Sequence, residues 1–222
     1  MHSAFLRLAS LLSQASFHVF RFDYFGTGDS AGEMWEANTA QWKADIRAAS
    51  CELKDMAGCR ELSIVGVRLG AALAAEVATE GLHVKHLVLW DPVVNGKTHI
   101  KELEDIRQEL RDYMPGPREE LLGENYDELL GYPFHSELRT EIEQINLLDM
   151  PDFAAERTFL VVSEEKLEYA QLRDQLTAHG VQLQYHVIPD LTHWGHLKAF
   201  LEVQLSNKIP HAIQKLLAQK LT

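Results

Sequence analysis

A glycine-flanked turn between a strand-like run and a helix-like run is the first pattern in the sequence that could carry chemistry. The stretch Ser63–Ala72 reads SIVGVRLGAA and places Gly66 and Gly70 on either side of Arg68. A strand, a turn and a helix in this order are typical of a nucleophile elbow, which holds its central residue at the tip of a strand. That residue is most often serine, but here it is Arg68.

The Arg68 side chain determines which reactions this turn can support. A guanidinium stays protonated and offers no lone pair, so it cannot attack a carbonyl carbon. It can instead bind a carboxylate or phosphate through paired hydrogen bonds, or form an internal ion pair with Asp91, Glu164 or Glu165. The sequence leaves both roles open. If Arg68 binds a carboxylate or phosphate, the anion-binding site is predicted at Arg68 and Leu69.

A second glycine-rich turn follows an earlier strand-like run. The stretch Phe20–Gly32 reads FRFDYFGTGDSAG and contains Gly26, Gly28 and Gly32. Glycine allows positive φ angles and a close approach of the backbone, which favours a tight loop at the tip of a strand. The sequence contains no G-x-x-x-x-G-K-[ST] pattern, so it does not predict GTP binding.

The elements that must position these turns alternate along the chain. Short apolar runs rich in Val, Ile and Phe predict strands buried on both faces, at His18–Asp23, Leu62–Gly66, His86–Asp91, Thr158–Ser163 and Leu183–Ile188. Apolar residues at helical spacing predict helices at Ser3–Ala15, Thr39–Met56, Leu69–Glu80, Glu168–His179 and Trp194–Leu205, the last continuing to Leu221. The alternation predicts one α/β domain over residues 1–222, with a mostly parallel sheet of about five strands flanked by helices.

One long segment interrupts this alternation. Between Asp91 and Thr158 lie about 65 residues without a strand signal, more than an ordinary connection needs. A charged helix is predicted at Lys101–Tyr113, with a solvated outer face, and short helical pieces follow it. We therefore predict a helical cap or lid over residues 95–157, and an apolar lid would suit an acyl or other apolar substrate.

The motifs resemble those of the α/β-hydrolase superfamily. The turn Asp23–Ser30 is similar to the D-x-x-G-x-G-x-S turn after that fold's fourth strand, and Gly66–Ala71 is similar to its elbow. With Leu89–Gly96, these segments look most like the serine-aminopeptidase-like hydrolases, including those found with bacterial exosortase systems. The resemblance covers almost the whole chain. It implies an α/β-hydrolase fold and a relationship to hydrolases of carboxylic esters, thioesters or amides.

The resemblance also implies where a base and an acid would lie. The base histidine is expected after the last strand, at His193, with His196 as the alternative. The acid normally follows the penultimate strand. Asp91, at the tip of an earlier strand, is another candidate, because some hydrolases take their acid from that position.

The usual position of the acid departs from the family pattern, as the elbow does. The family's aspartate would fall close to Lys166, and Glu165 or Glu164 could replace it. With Arg68 at the nucleophile position, these departures predict a hydrolase relative that is degenerate or inactive, a pseudoenzyme. The alternative is a non-catalytic protein that binds an anionic or acyl small molecule, or a protein partner, through Arg68. A fragment without independent function is a third interpretation.

The beginning of the chain also differs from what the resemblance implies. In the family, three strands and a loop that forms half of the oxyanion hole precede the first helix. Met1 already lies at that helix, so we expect an N-terminally truncated domain. The family's third strand would lie between His18–Asp23 and Leu62–Gly66. Without it, these two runs would pair directly, or the gap between them would be filled by a partner or left open.

Composition limits the classes of partner and compartment. With 21 Lys and Arg against 33 Asp and Glu, the net charge of −12 argues against binding to nucleic acid or to an anionic membrane. No cofactor or metal is predicted, because His193-x-x-His196 has no acidic partner at metalloprotease spacing. The only two cysteines, Cys51 and Cys59, form no disulfide framework, which predicts a cytoplasmic protein. The resemblance to hydrolases found with bacterial exosortase systems implies a bacterial protein. The sequence leaves a homodimer open.

Overall fold

A parallel sheet of four strands lies at the centre of the described chain. The structure is a computed structural model, and it describes residues 2–113, 126–130, 132–150, 155–190 and 208–219. The strands of this sheet are β1 Ser63–Val67, β2 Val84–Trp90, β5 Ala155–Val162 and β6 Leu183–Val187, in the order β1-β2-β5-β6. A separate antiparallel hairpin consists of β3 Tyr126–Leu129 and β4 Tyr132–His135. The described helices are α1 His2–Gln14, α2 Thr39–Ala57, α3 Leu69–Thr79, α4 Gly96–Tyr113, α5 Ser136–Gln144, α6 Leu167–Ala178 and α7 Lys208–Ala218. The α/β class predicted from the sequence is confirmed.

The central strand β2 is apolar and buried because helices cover both faces of the sheet. Leu87, Val88 and Leu89 have no exposed surface, and Val88 pairs with Val65 on β1 and with Phe159 on β5. Parallel strands covered on both faces read as continuous apolar runs, which is how the sequence identified them. None of the described helices is long and apolar enough to cross a membrane.

Alternate residues of the sheet contact two different helical layers. Leu87 and Leu89 belong to the cluster formed with α2, α3, α5 and α6, whereas Val88 belongs to the cluster formed with α1 and α7. Side chains of a strand point alternately to the two faces, so each strand supplies both clusters. The result is a three-layer arrangement in which the sheet lies between helices.

The run His18–Asp23 forms no strand, so the predicted fifth strand is wrong. Its apolar side chains are exposed, with exposed fractions of 37% for Val19 and 39% for both Phe20 and Phe22. Among the described residues, β1 pairs only with β2, so the first of the three alternatives, direct pairing of this run with β1, is wrong. A strand buried on both faces needs hydrogen-bonding neighbours for its backbone, and no described segment supplies them here.

The segment between β2 and β5 contains strands as well as helices. Only short helical pieces were predicted after α4. The structure has the hairpin β3–β4 there, followed by α5 and a 3-10 turn at Leu147–Asp149. Four-residue strands are too short for periodicity to identify, which is why the hairpin was missed. The hairpin contributes Leu129 and Phe134 to the core. The expected helix Trp194–Leu205 lies outside the described residues.

Candidate functional site

The turn from β1 into α3 holds Arg68 in a strained backbone conformation. Its φ and ψ angles are 52° and −122°, outside the regions that side-chain-bearing residues ordinarily adopt. A Cβ atom on Gly66 would collide with the Cα of Ala71 and the carbonyl oxygen of Gly70, so only glycine allows this approach of helix to strand. The Arg68 N–H donates to the carbonyl oxygen of Trp90 at 3.0 Å, which fixes the turn against β2.

The Arg68 side chain forms an ion pair with a residue of the long segment between β2 and β5. Its Nη2 donates to Oε2 of Glu102 on α4 at 2.6 Å, and its Nη1 donates to the carbonyl oxygen of Asp91 at 3.4 Å. Only 10% of the Arg68 side chain and 25% of the Glu102 side chain are exposed. Sequence analysis predicted Asp91, Glu164 or Glu165 as the ion-pair partner of Arg68. It did not identify Glu102, whose carboxylate pairs with Arg68 in the structure.

Besides Arg68, two basic side chains lie close to Glu102, those of Lys166 and His99. Nζ of Lys166 is 3.8 Å from its Oε1, and Nδ1 of His99 is 3.9 Å from its Oε2. Burial would raise the pKa of Glu102, but His99, Arg68 and Lys166 lower it to about 2. Burial lowers the pKa of His99, so its ring is neutral near pH 7. Because 3.9 Å is too long for a hydrogen bond, we assign the low pKa of Glu102 mainly to the guanidinium of Arg68.

Asp91, one of the predicted acids, joins the tips of two strands. It has no exposed surface and a positive φ of 42°. Its Oδ1 accepts hydrogen bonds from the N–H of Ser163 at 2.7 Å and from the Ser163 hydroxyl at 3.0 Å. Burial, with a contribution from Asp91, raises the pKa of Tyr169. This carboxylate therefore connects the end of β2 to the end of β5.

The other predicted site residues are dispersed. Glu165 is exposed in the loop before α6, and its charge contributes to raising the pKa of Tyr185 after the larger effect of burial. Glu164 forms an ion pair with Lys166 at 3.3 Å. Leu69 is partly buried against the core at the start of α3.

The two candidate base histidines, His193 and His196, lie outside the described residues. The assignment of His193, Glu165 or Asp91 to catalysis therefore stays a prediction. Within the described ranges, no group of three or more His, Cys, Asp or Glu side chains is placed to hold a metal ion.

Two residues of the observed cluster escaped sequence analysis for different reasons. Glu102 lies on a helix whose charges were interpreted as a solvated face, and only the packing of α4 turns it toward the strand tips. Lys166 was noticed as a departure from the family pattern, but its partner was not. The spacing of His99 and Glu102, three residues apart on one helix, was the one available signal that they share a face.

Comparison with known proteins places the chain in a family. The alpha/beta hydrolase family model matches residues 1–203, and the chain belongs to this family. No curated protein matches it in sequence.

Solved structures of esterases and lipases share its fold. The esterase Est1E from Butyrivibrio proteoclasticus, solved with ferulic acid bound, has a TM-score of 0.66 and 16% identity over 96% of this chain and 81% of that one. The esterase PF2001 of Pyrococcus furiosus has a TM-score of 0.62 and 15% identity, covering 96% and 72%. A monoacylglycerol lipase of Paleococcus ferrophilus has a TM-score of 0.58 and 16% identity, covering 96% and 87%. These likenesses show the α/β-hydrolase fold.

Replacing Glu102 with Gln should destabilise the protein in a pH-dependent way. At pH 7 we expect a loss of about 2 kcal/mol in the free energy of unfolding, because the buried guanidinium loses its carboxylate partner. The folded-state pKa of Glu102 is about 2, below its ordinary value of 4.5. Its contribution is therefore complete above pH 4.5 and is lost as the pH falls toward 2.

Urea denaturation of both proteins between pH 7 and pH 3 measures this effect. The difference in stability between the wild type and Glu102→Gln should shrink as the pH falls. The control is Asp105→Asn on the same helix, which removes an exposed pair with Lys101 and should cost much less stability than Glu102→Gln. A constant difference across the pH range, or equal losses for both variants, would contradict the assigned role of Glu102.

Proposed function

We propose that this α/β-hydrolase-family protein does not act as a serine hydrolase and that its elbow serves as an electrostatic anchor. The ion pair between Arg68 and Glu102 carries the proposal, because it engages the residue at the strained strand tip. Acyl transfer through a covalent intermediate needs a group that loses a proton and attacks carbon. A guanidinium held by a carboxylate cannot do this.

A second replacement supports the same proposal. The resemblance places the family's acid close to Lys166, and this lysine contacts the same carboxylate as Arg68. Arg68 and Lys166 are thus two cations that share the carboxylate of Glu102, at the positions where the resemblance implies a nucleophile and an acid. We also propose membership of the serine-aminopeptidase-like subgroup and a bacterial source, from the resemblance of Gly66–Ala71 and Leu89–Gly96, and a cytoplasmic location, from the two free cysteines.

Binding of a carboxylate-bearing acyl ligand is the second candidate function. The observation that favours it is the position of Glu102, whose carboxylate already lies within reach of both Arg68 and Lys166. A ligand carboxylate offers the same two oxygen atoms, so it could exchange with the Glu102 side chain and pair with the guanidinium. In this proposal Glu102 competes with the ligand.

A fluorophosphonate probe and p-nitrophenyl esters of short and medium chain length test for serine hydrolase activity. We expect neither labelling nor turnover above the rate in buffer, because the elbow carries no nucleophile. A purified serine esterase serves as the positive control. Turnover or labelling that disappears in the His193→Ala variant would show a working hydrolase and overturn the main proposal.

Calorimetric titration with sodium octanoate tests the second candidate, with octanol as the uncharged control. We expect octanoate alone to bind, and Arg68→Gln to abolish binding because the guanidinium is lost. Glu102→Gln should raise the affinity on the order of tenfold, because the competing carboxylate is removed. Unchanged binding in Arg68→Gln, or weaker binding in Glu102→Gln, would refute carboxylate exchange at this site.

A further inference from the structure

One carboxylate oxygen at the strand tips faces two different donor groups. Oε2 of Glu102 accepts a hydrogen bond from Nη2 of Arg68 at 2.6 Å, and Nδ1 of His99 lies 3.9 Å from the same oxygen. The third neighbour, Lys166, approaches the other oxygen, Oε1, at 3.8 Å. Arg68 and His99 are therefore directed to one acceptor atom, whereas Lys166 is not.

The Nδ1 atom of His99 is buried and has no hydrogen-bond partner among the described residues. Only 12% of the side chain is exposed, and a buried polar atom without a partner is costly. His99 and Glu102 are three residues apart on α4, so their side chains lie on one face of the helix. A shift of about 1 Å between Nδ1 and Oε2 would bring them to hydrogen-bond distance.

The charge on the His99 ring decides how strongly it attracts this oxygen. A neutral imidazole is a weaker donor to a carboxylate than a guanidinium, but an imidazolium is a charged donor like Arg68. Glu102 stays ionised while the ring titrates, since its pKa is about 2. Two cations at one oxygen atom repel each other, so a charge on His99 weakens the contact of Arg68 with Glu102.

The groups around His99 determine the pH at which its ring becomes charged. Burial is the largest influence and lowers the pKa of His99, while Glu102 raises this pKa and Arg68 lowers it. The ring therefore takes up its proton below the ordinary histidine pKa of 6.5. The neighbouring helix α5 directs Arg139 to two other acidic residues, Glu104 and Glu143.

Glu168 on α6 is a second half-buried group that titrates in this cluster. Burial raises its pKa, and the charges of Lys166, Glu102 and Arg68 also act on it. The titrations of Glu168 and His99 therefore approach each other from opposite sides. An experiment on His99 must separate the two groups.

We propose that His99 is a proton switch that controls the contact between Arg68 and Glu102. When the pH falls, the ring takes up a proton from water, both ring nitrogens carry hydrogen, and Nδ1 donates to Oε2 of Glu102 in place of Arg68. The guanidinium then exchanges Glu102 for an anionic ligand. This last step rests on the carboxylate exchange proposed above, whereas the change of partner at Glu102 does not.

NMR of the ligand-free protein between about pH 7.5 and pH 4 tests the change of partner. We expect the guanidinium signals of Arg68 to shift with the same midpoint as the ring signals of His99, below pH 6.5. The wild type alone decides this point, so the test does not depend on the folding of a variant. Arg68 signals that stay constant while the pH falls, or that shift with another midpoint, would overturn the proposal.

Two variants assign the shift to one of the two titrating groups. His99→Gln should remove the shift of the Arg68 signals, because glutamine does not titrate. Glu168→Gln is the matched control and should leave the shift in place. An equal shift in His99→Gln, or its loss in Glu168→Gln alone, would overturn the proposal.

Calorimetric titration with sodium octane-1-sulfonate measures the consequence for binding. Sulfonate stays ionised over this pH range, so a change in affinity reports on the protein and not on the probe. We expect the wild type and Glu168→Gln to bind on the order of tenfold more tightly at about pH 4.5 than at pH 7.5. The affinity of His99→Gln should change much less.

The two measurements distinguish failure of the switch from failure of the binding function. If the Arg68 signals follow His99 but octanesulfonate binds at no pH, the change of partner is supported and anion binding is refuted. If octanesulfonate binds equally at both pH values and the Arg68 signals stay constant, the switch is overturned and the binding function stands.

Discussion

The ion pair between Arg68 and Glu102 joins two parts of the chain that are 34 residues apart. Arg68 belongs to the turn between β1 and α3, and Glu102 belongs to the helix that follows β2. Both charges are largely removed from water, so each needs the other to offset the loss of hydration. This one contact connects the strained turn to α4 and is the main cause of the low pKa of Glu102.

The other polar contacts at the strand tips also connect elements that are distant in sequence. The carboxylate of Asp91 binds the backbone and hydroxyl of Ser163, so β2 and β5 end together. Lys166 extends the cluster from the loop after β5 to α4. Solved structures of esterases and lipases share this fold, and in this chain the described polar groups hold the strand tips and α4 together.

The sequence predicted the architecture better than the contacts of the site. Short, mostly apolar runs identified β1, β2, β5 and β6, because strands of a parallel sheet that helices cover are rich in apolar residues. The same rule failed for His18–Asp23, since composition cannot show whether a neighbouring strand is present. It also missed the hairpin, whose strands have only four residues. Arg68 was identified from its glycine-flanked turn, but Glu102 was not, because the packing of α4 is a tertiary property.

A double-mutant cycle on Arg68 and Glu102 tests the central claim most directly. Urea denaturation at pH 7 would compare the wild type, Arg68→Gln, Glu102→Gln and the variant with both changes. The account predicts a coupling free energy of about 2 kcal/mol, because each single change leaves the other group without its partner. Additive losses, with a coupling close to zero, would contradict the claim that this ion pair anchors the elbow to α4.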